Sequence, residues 1–221
     1  MRLTARLLAA IALGCCALVG AAENETDWPR FRGPNGSGIA RGATPPVTWS
    51  DTQNVQWKLE LPGPGTSSPI VVGDRVFVTC WTGVGAAKFK NSLSRELLCV
   101  DRTTGRVKWS RAVAGENNID RFDGYLPEHG YASHTPVCDG EKIFAYFGRG
   151  GAAAFDLDGK VLWQTRLGDA SNQKNWGSAA SPVVHGDYVI ITASEEANAV
   201  IALHKATGKE ARSEERRVGK E

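Results

Sequence analysis

The sequence lacks an excess of charge of either sign. Its 221 residues contain 26 lysines and arginines against 24 aspartates and glutamates, a formal net charge of +2. Arg2 and Arg6 lie in an N-terminal segment that we predict below to be removed, which leaves 24 basic residues against 24 acidic ones. Nucleic-acid-binding proteins carry basic surfaces that neutralise phosphates, so this balance argues against a nucleic-acid partner.

Long apolar runs are also missing, since no stretch reaches the roughly 20 residues that a membrane-spanning helix needs. The chain is 42% hydrophobic and contains 25 glycines but a single methionine. This composition is typical of a globular protein with many turns, and it argues against a disordered chain. The length is sufficient for one or two domains.

Residues 1–22 have the pattern of a secretory signal peptide. Two arginines and no acidic residue precede an apolar or small run at 7–19, and small residues follow at 20–22. We expect cleavage near Ala21 or Ala22 and a periplasmic or secreted mature chain. Two alternatives stay open: a buried helix, and a lipoprotein signal in which Cys15 would carry the anchor.

Cysteine is scarce in the mature chain. Cys15 and Cys16 would leave with the signal, so Cys80, Cys99 and Cys138 remain. All three lie in apolar, strand-like runs, and the pattern favours buried free thiols. A Cys80–Cys99 disulfide is the alternative, and it requires that their strands be neighbours.

One pattern occurs three times along the chain. Segments at 67–74, 134–140 and 180–187 each place a glycine four residues after a proline, and a run rich in β-formers follows each of them. A strand, a tight glycine turn and a second strand form a β-hairpin. The sequence therefore predicts three hairpins.

A second pattern follows each hairpin. An apolar strand leads to a turn glycine at position 105, 159 or 208, and in the first two units a tryptophan follows four residues later, Trp109 and Trp163. An isolated strand is predicted before all of them, at 55–59. Four short antiparallel strands per unit of about 50 residues are typical of a propeller blade. We predict that the two tryptophans pack between neighbouring units.

The repeat Asp-x-x-Thr-Gly-x-x-x-Trp, from Asp101 to Trp109, resembles the repeat of the pyrroloquinoline-quinone-type (PQQ-like) β-propellers. Residues 27–34, Asp-Trp-Pro-Arg-Phe-Arg-Gly-Pro, are similar to the lead-in of a secreted subset of this family. The resemblance covers about residues 27–211. It implies an all-β fold: a partial propeller of about three four-stranded blades, out of the seven or eight that a complete family member has.

We expect four parts in the chain: a signal peptide at 1–22, a lead-in and linker at 23–54, propeller blades at 55–211 with the third incomplete, and a charged tail at 212–221. Seven of the ten tail residues are charged, and Arg212 stands where a tryptophan is expected. We interpret this tail as non-native and the chain as an N-terminal fragment with exposed sheet edges and poor solubility. A solvated native tail is the alternative.

The candidate site residues surround the second hairpin. His134 stands where the other units have a serine or an alanine, and Glu128 and His129 lie just upstream. The three could ligate a metal, although both histidines are equally consistent with hydrogen-bonded loop residues. Trp176 could stack on a flat cofactor or pack between blades. No catalytic residue is assigned, because nucleophile, base and orienting group do not occur together.

The resemblance implies two kinds of function, because the family includes quinoprotein alcohol dehydrogenases and the outer-membrane-protein assembly lipoprotein. An active dehydrogenase would need PQQ with calcium, an aspartate base and often adjacent cysteines, and the single adjacent pair lies in the leader. We therefore favour a non-catalytic binding or scaffold module with an envelope protein partner or a small ligand. The alternatives are a fragment of a PQQ-dependent alcohol or sugar dehydrogenase, and a carbohydrate- or small-ligand-binding propeller.

Overall fold

The computed structural model describes residues 26–83, 93–113, 122, 124–171 and 176–215. The predicted signal peptide and residues 216–221 of the charged tail lie outside this part of the chain. Among the described residues no helix is long and apolar enough to cross a membrane.

In the described part of the chain, twelve strands form three antiparallel sheets, each a four-stranded meander in chain order. The first sheet contains β1 (Ile70–Val72), β2 (Arg75–Thr82), β3 (Ser94–Asp101) and β4 (Val107–Val113); the second contains β5 (Val137–Cys138), β6 (Lys142–Tyr146), β7 (Ala152–Asp156) and β8 (Val161–Thr165); the third contains β9 (Val183–His185), β10 (Tyr188–Ala193), β11 (Ala199–His204) and β12 (Glu210–Glu215). Two single-turn 3₁₀ helices, Leu126–Glu128 and Gly148–Gly150, lie in connections. The all-β fold of propeller blades is confirmed.

The three predicted hairpins form at their glycine turns. Gly73, Gly140 and Gly186 adopt φ values of 56°, 98° and 54°, a region that costs a residue with a Cβ about 1–2 kcal/mol. The sequence could predict these hairpins because the spacing from proline to glycine involves only neighbouring residues of the chain.

The middle sheet is covered on both faces. Ile143 packs in a core cluster with Phe77 of the first sheet, whereas its neighbour Phe144 packs in a second cluster with Val189 of the third. Successive residues of a strand point to opposite faces, so β6 contributes to both cores. Sheets stacked face to face in this way are successive blades of a propeller.

Each indole of the repeat docks on the turn of the next unit. Trp109 lies over Gly159 and donates its Nε1–H to the carbonyl of Leu157 at 3.1 Å. Trp163 lies over Gly208 and donates to the carbonyl of Lys205 at 2.8 Å. The predicted packing of both tryptophans between units is confirmed.

The predicted strand at 55–59 is wrong, since no strand is assigned to these residues. A strand needs a partner, and none of the described residues pairs with this segment. Its tryptophan nevertheless packs in the same way as Trp109 and Trp163. Trp57 lies over the turn glycine Gly105 and donates its Nε1–H to the carbonyl of Arg102 at 2.8 Å. The segment is held by its side chain instead of a backbone ladder.

The fourth strand of the third sheet continues beyond Ala211, where the sequence predicts that the blade stops. β12 runs from Glu210 to Glu215 and is exposed along its whole length. Arg212 takes the register of the two repeat tryptophans, because in all three sheets the fourth-strand residue beside a bulge is aligned in the same way: Trp109 with Cys99, Trp163 with Ala154 and Arg212 with Ala202. The first four residues of the charged segment thus form strand.

The three cysteines of the described chain are free and buried. β2 and β3 are neighbours, but Cys80 is aligned with Glu96 and Cys99 with Phe77. The two thiols therefore do not face each other across the ladder. Burial raises the pKa of the Cys80 and Cys99 thiols to about 11, which suppresses the reactive thiolate.

The lead-in is attached to the first sheet at Trp28. Its N–H donates to the carbonyl of Val71 at 2.7 Å, and the N–H of Val71 donates back at 3.0 Å. Pro29 extends the contact to the second sheet, because its carbonyl accepts from the Cys138 N–H at 2.8 Å. The segment thus bridges the first two blades.

Candidate functional site

A small pocket lies at one end of the second and third blades. Strands of a meander alternate in direction, so the connections into the first strand and between the second and third strands meet at the same end of a sheet. The pocket is lined from these connections: His134 precedes β5, Arg149 lies between β6 and β7, Ser178 precedes β9 and Glu196 lies between β10 and β11. The glycine turns that receive the indoles lie at the opposite end.

Four side chains form a buried hydrogen-bonded chain at this pocket. His134 Nε2 lies 3.0 Å from Ser178 Oγ. Ser178 Oγ donates to Glu196 Oε1 at 2.6 Å, and the Tyr146 hydroxyl donates to Glu196 Oε2 at 2.8 Å. Both oxygens of the buried carboxylate are therefore bound, as a buried charge requires.

The directions of these bonds fix the proton on His134. A carboxylate only accepts hydrogen bonds, so Ser178 gives its single proton to Glu196. Ser178 Oγ must then accept from His134, which places the imidazole proton on Nε2. Nδ1 remains as an acceptor, and it is buried with no hydrogen-bond partner among the described residues.

Burial keeps His134 neutral. Desolvation, followed by the repulsion of His129, lowers its pKa from 6.5 to about 3. Burial of Tyr146, together with the negative charge of Glu196, raises the pKa of the Tyr146 hydroxyl. The phenol and the imidazole therefore both stay uncharged at neutral pH.

His129 links two segments beside the pocket. Its Nδ1 lies 2.6 Å from Ser133 Oγ, and its Nε2 bonds the carbonyl of Trp176. His129 and His134 both line the pocket, but Glu128 is exposed and does not. Within the described ranges, no group of three histidine, cysteine or acidic side chains is arranged to hold a metal ion. The metal site suggested by the sequence therefore has two of its three members at one pocket.

Trp176 lies beside the pocket, next to the lining residue Gly177. It is 52% exposed and packs against Tyr125, itself 51% exposed, with ring centroids 4.8 Å apart at 42°. Each ring directly precedes a pocket-lining residue, Leu126 and Gly177. We refer to these two rings as the aromatic shelf.

The hydroxyl residues before the second and third repeat prolines have a structural role. Thr135 Oγ1 accepts from the Ser68 N–H at 2.9 Å, and Ser181 Oγ accepts from the Thr135 N–H at 3.0 Å. One hydrogen bond thus joins each blade to the next at these positions. The small residues of the repeat reflect this close approach of the first strands.

Several residues of the site carried little or no signal in the sequence. Ser178, Glu196 and Tyr146 belong to different connections and strands, and their meeting depends on the packing of the two blades. One clue was available for Glu196: it is an acidic residue in a short turn between two apolar strands, at the place where the second unit has Arg149.

The lining of this pocket does not match the needs of calcium-bound PQQ. Calcium prefers six to eight oxygen ligands, but Glu196 is the one carboxylate that lines this pocket, and both of its oxygens already accept hydrogen bonds. The pocket offers about 20 Å³ to the centres of water-sized molecules, which is room for one or two such groups and not for a fused-ring quinone.

Comparisons with known proteins place the chain among the propellers that its repeat resembles. A family model described as "Outer membrane protein assembly factor BamB" matches residues 50–217. A similar curated relative is the polyvinylalcohol dehydrogenase of Sphingopyxis sp. (strain 113P3), which is 26% identical over 171 residues, covering 70% of this chain and 23% of that protein. The chain therefore spans about a quarter of the length of this relative.

One solved structure is similar to the chain at the level of the fold. Quinohemoprotein alcohol dehydrogenase ADHIIG from Pseudomonas putida HK5 superposes with a TM-score of 0.50 at 18% identity, covering 86% of this chain and 26% of that one. BamB from Moraxella catarrhalis gives a TM-score of 0.42 at 16% identity, covering 72% of this chain and 54% of that one.

Proposed function

The chain belongs to the family of PQQ-like propellers described by the outer membrane protein assembly factor BamB, and from this premise we propose that it is an exported, non-catalytic binding module. The pocket at the loop end of the second and third blades is its binding site. Loops on a rigid β-scaffold are where binding residues concentrate.

The observation that carries this proposal is the order of the hydrogen-bonded chain, in which Ser178 lies between His134 and Glu196. Ser178 lies between the histidine and the carboxylate, whereas a nucleophilic triad places the histidine in the middle. The serine proton goes to Glu196, so His134 is not positioned to remove it. A histidine whose pKa is lowered to about 3 is also a poor base at neutral pH.

Export is the second element of the proposal, and it is supported by the N-terminal pattern of residues 1–22. The mature chain would then reside in the periplasm or outside the cell, with anchoring through Cys15 as the alternative. Family membership also supports a protein partner in the envelope, because the matching model is named for an outer membrane assembly factor.

A second candidate is that the chain is the N-terminal part of a PQQ-dependent alcohol or sugar dehydrogenase, and the similarity to polyvinylalcohol dehydrogenase favours it. One assay tests directly whether the chain itself has the dehydrogenase activity. The full chain is incubated with PQQ and calcium, and reduction of an artificial electron acceptor is followed with primary alcohols, aldoses and polyvinyl alcohol. A binding module gives no alcohol-dependent reduction above the protein-free blank.

Binding of PQQ is measured in parallel by equilibrium dialysis with and without calcium. Calcium-dependent, saturable uptake of the quinone together with alcohol-dependent dye reduction would overturn the binding-module proposal. The Glu196→Gln variant serves as the matched control, because loss of uptake in this variant would assign the quinone to the pocket described above.

A further inference from the structure

The lead-in carries a local excess of positive charge. Between Asp27 and Asp51 the sequence contains three arginines, Arg30, Arg32 and Arg41, and no acidic residue. The predicted mature chain has 24 basic and 24 acidic residues, so taking these three away leaves 21 basic against 24 acidic residues elsewhere. A positive segment on an otherwise slightly acidic protein favours association with an anionic partner.

These charges are not compensated within the described part of the chain. None of its ion pairs involves Arg30, Arg32 or Arg41. The side chain of Arg30 lies against Gly36 and that of Arg32 beside Gly38, and a glycine offers no opposite charge. An anion from outside can therefore pair with these guanidinium groups without breaking an existing ion pair.

A backbone hydrogen bond closes this segment into a loop. The Gly38 N–H donates to the carbonyl of Arg32 at 2.8 Å. Phe31 and Ile39 directly flank this closure, and they are 49% and 58% exposed. We refer to residues 30–41 as the lead-in loop. It combines arginines and exposed apolar side chains within one short stretch of the chain.

The lead-in loop is attached to the blades at the end away from the pocket. Asp27 Oδ1 accepts from the Gly73 N–H, in the turn of the first hairpin, at 2.9 Å. The carbonyl of Pro29 bonds the second sheet beside the turn of the second hairpin. These turns follow β1 and β5, whereas the pocket is lined by residues that precede the first strands of the blades. The lead-in loop and the aromatic shelf can therefore engage different partners.

Apolar side chains are also exposed further along the same acid-free segment. Val47 is 93% exposed and Trp49 is 71% exposed. Arginines are attracted to anionic lipid headgroups, and exposed aliphatic and aromatic side chains enter the boundary between headgroups and acyl chains. Tryptophan is typical of this boundary. The composition of the segment therefore matches that of a peripheral membrane-binding surface.

A lipid surface fits the lead-in loop better than an acidic polypeptide does. An acidic polypeptide would pair with the arginines, but it would leave Phe31 and Ile39 in water unless it also carried pockets of matching shape. The surface of an anionic bilayer supplies both kinds of contact. Because the bilayer is fluid, it accommodates protruding side chains without a preformed pocket.

We propose that the lead-in loop binds the surface of an anionic membrane, with Arg30, Arg32 and Arg41 at the lipid headgroups and Phe31 and Ile39 inserted among them. The contact is peripheral and needs no membrane-spanning segment. This inference goes beyond the function proposed for the pocket, and it does not depend on which ligand the pocket binds.

The test is a flotation assay, in which vesicle-bound protein rises through a density gradient and aggregated protein does not. It uses the mature chain, residues 23–221, which keeps every described residue, because the apolar run at 7–19 would bind lipid by itself. Vesicles of equal parts phosphatidylglycerol and phosphatidylethanolamine are compared with vesicles of phosphatidylcholine alone. We expect flotation with the anionic vesicles only. Raising the salt from about 0.1 M to about 1 M should weaken it at least about tenfold, because salt screens exposed charges.

Two variants test the two kinds of contact separately. Replacing Arg30, Arg32 and Arg41 together by glutamine should weaken binding to the anionic vesicles by at least about 30-fold, since each basic residue near such a surface contributes about fivefold. The Phe31→Ser, Ile39→Ser double variant should weaken binding roughly tenfold and should keep the salt dependence of the unchanged chain.

The matched control removes three positive charges from the end of the molecule that carries the turn glycines. Arg106→Gln, Lys160→Gln and Lys209→Gln together change exposed residues that each follow a turn glycine of the repeat. If the attraction belongs to the lead-in loop, this control should weaken binding by less than about threefold. Circular dichroism of each variant checks that it keeps the fold of the unchanged chain.

Two results would overturn the membrane contact. The first is flotation with the anionic vesicles no greater than with phosphatidylcholine, or equal losses in the arginine variant and the control. The second is salt-sensitive binding of soluble poly-glutamate that needs the same arginines, without flotation, which would identify an acidic polypeptide as the partner. Either result leaves the function proposed for the pocket in place, because none of the changed residues lines the pocket.

Discussion

The indole of Trp109 lies directly on Gly159, where an added Cβ would stand 2.7 Å from the ring. The φ of Gly159 is 83°, a conformation that disfavours residues with a Cβ. The contact with the indole disfavours a Cβ at this position as well. The pairing joins the fourth strand of one blade to a turn of the next. It is therefore a point where substitution tests how much this docking contributes to stability.

Gly159→Ala should lower the free energy of unfolding by about 2–4 kcal/mol, which combines the cost of the left-handed backbone with that of overpacking against the indole. The measurement is urea denaturation followed by circular dichroism. Gly186→Ala is the control, because its φ is 54° and nothing lies within 4 Å of an added Cβ. Equal losses in the two variants would show that the indole contact adds nothing.

The repeat shows which parts of the fold the sequence can predict. The hairpins depend on the four-residue spacing from proline to glycine, and the packing of Trp109 and Trp163 depends on the four-residue spacing from glycine to tryptophan. Both spacings are local and can be read directly from the sequence. The strand predicted at 55–59 failed because pairing needs a neighbour that the segment itself does not encode. β12 was not foreseen beyond Ala211, because a fully exposed strand has no apolar alternation to reveal it.

The candidate site was less predictable than the fold. His134 stood out in the sequence because the other units have a serine or an alanine at its position. His129 was noted because it lies just upstream, and Trp176 because an indole before the third hairpin could stack on a flat cofactor or pack between blades. Glu196 and Tyr146 are 50 residues apart, and their contact arises from the packing of one blade on another. Comparing the repeats residue by residue identifies residues that differ from their equivalents, but it does not show which of these residues lie in contact in the folded chain.

The hydrogen bond from Tyr146 to Glu196 should show strong energetic coupling. Glu196→Gln replaces one accepting oxygen by an amide that must face a donor, and we expect a loss of about 1–3 kcal/mol in unfolding free energy. Tyr146→Phe removes the facing hydroxyl. In a double-mutant cycle the two changes should couple by at least about 0.5 kcal/mol; additive losses would contradict the shared bond.

Thr135 should be sensitive to loss of its hydroxyl group. Thr135→Val keeps the shape but leaves the Ser68 N–H without the acceptor that it now finds at 2.9 Å. We expect the free energy of unfolding to fall by about 1–3 kcal/mol. Thr135→Ser retains the hydroxyl and is the control, so a greater loss in Thr135→Ser than in Thr135→Val would point to the methyl group instead.

Thiol labelling should separate the folded chain from the unfolded one. Burial raises the pKa of Cys80, Cys99 and Cys138 to about 11, so at pH 8 roughly a thousandth of each thiol is ionised. In a Cys15→Ser, Cys16→Ser background, labelling by a disulfide reagent should be at least about 100-fold slower than in urea. Rapid modification of one thiol in the native state would show that its strand opens.

His134 should make the stability of the chain depend on pH between 7 and 5. Its pKa is about 3 in the folded chain and near 6.5 when unfolded. As the pH falls below 6.5, the unfolded chain takes up a proton that the folded chain does not, so stability decreases. From pH 7 to pH 5 this group alone should lower the free energy of unfolding by about 2 kcal/mol.

The His134→Gln variant isolates this contribution, because the chain's other three histidines are the same in both proteins. Urea denaturation of the two proteins at pH 7 and pH 5 gives four unfolding free energies. The decrease should be smaller in the variant by about 2 kcal/mol, since glutamine binds no proton in this range. Equal decreases in both proteins would mean that His134 becomes protonated without unfolding. The imidazole would then not be held neutral by its burial.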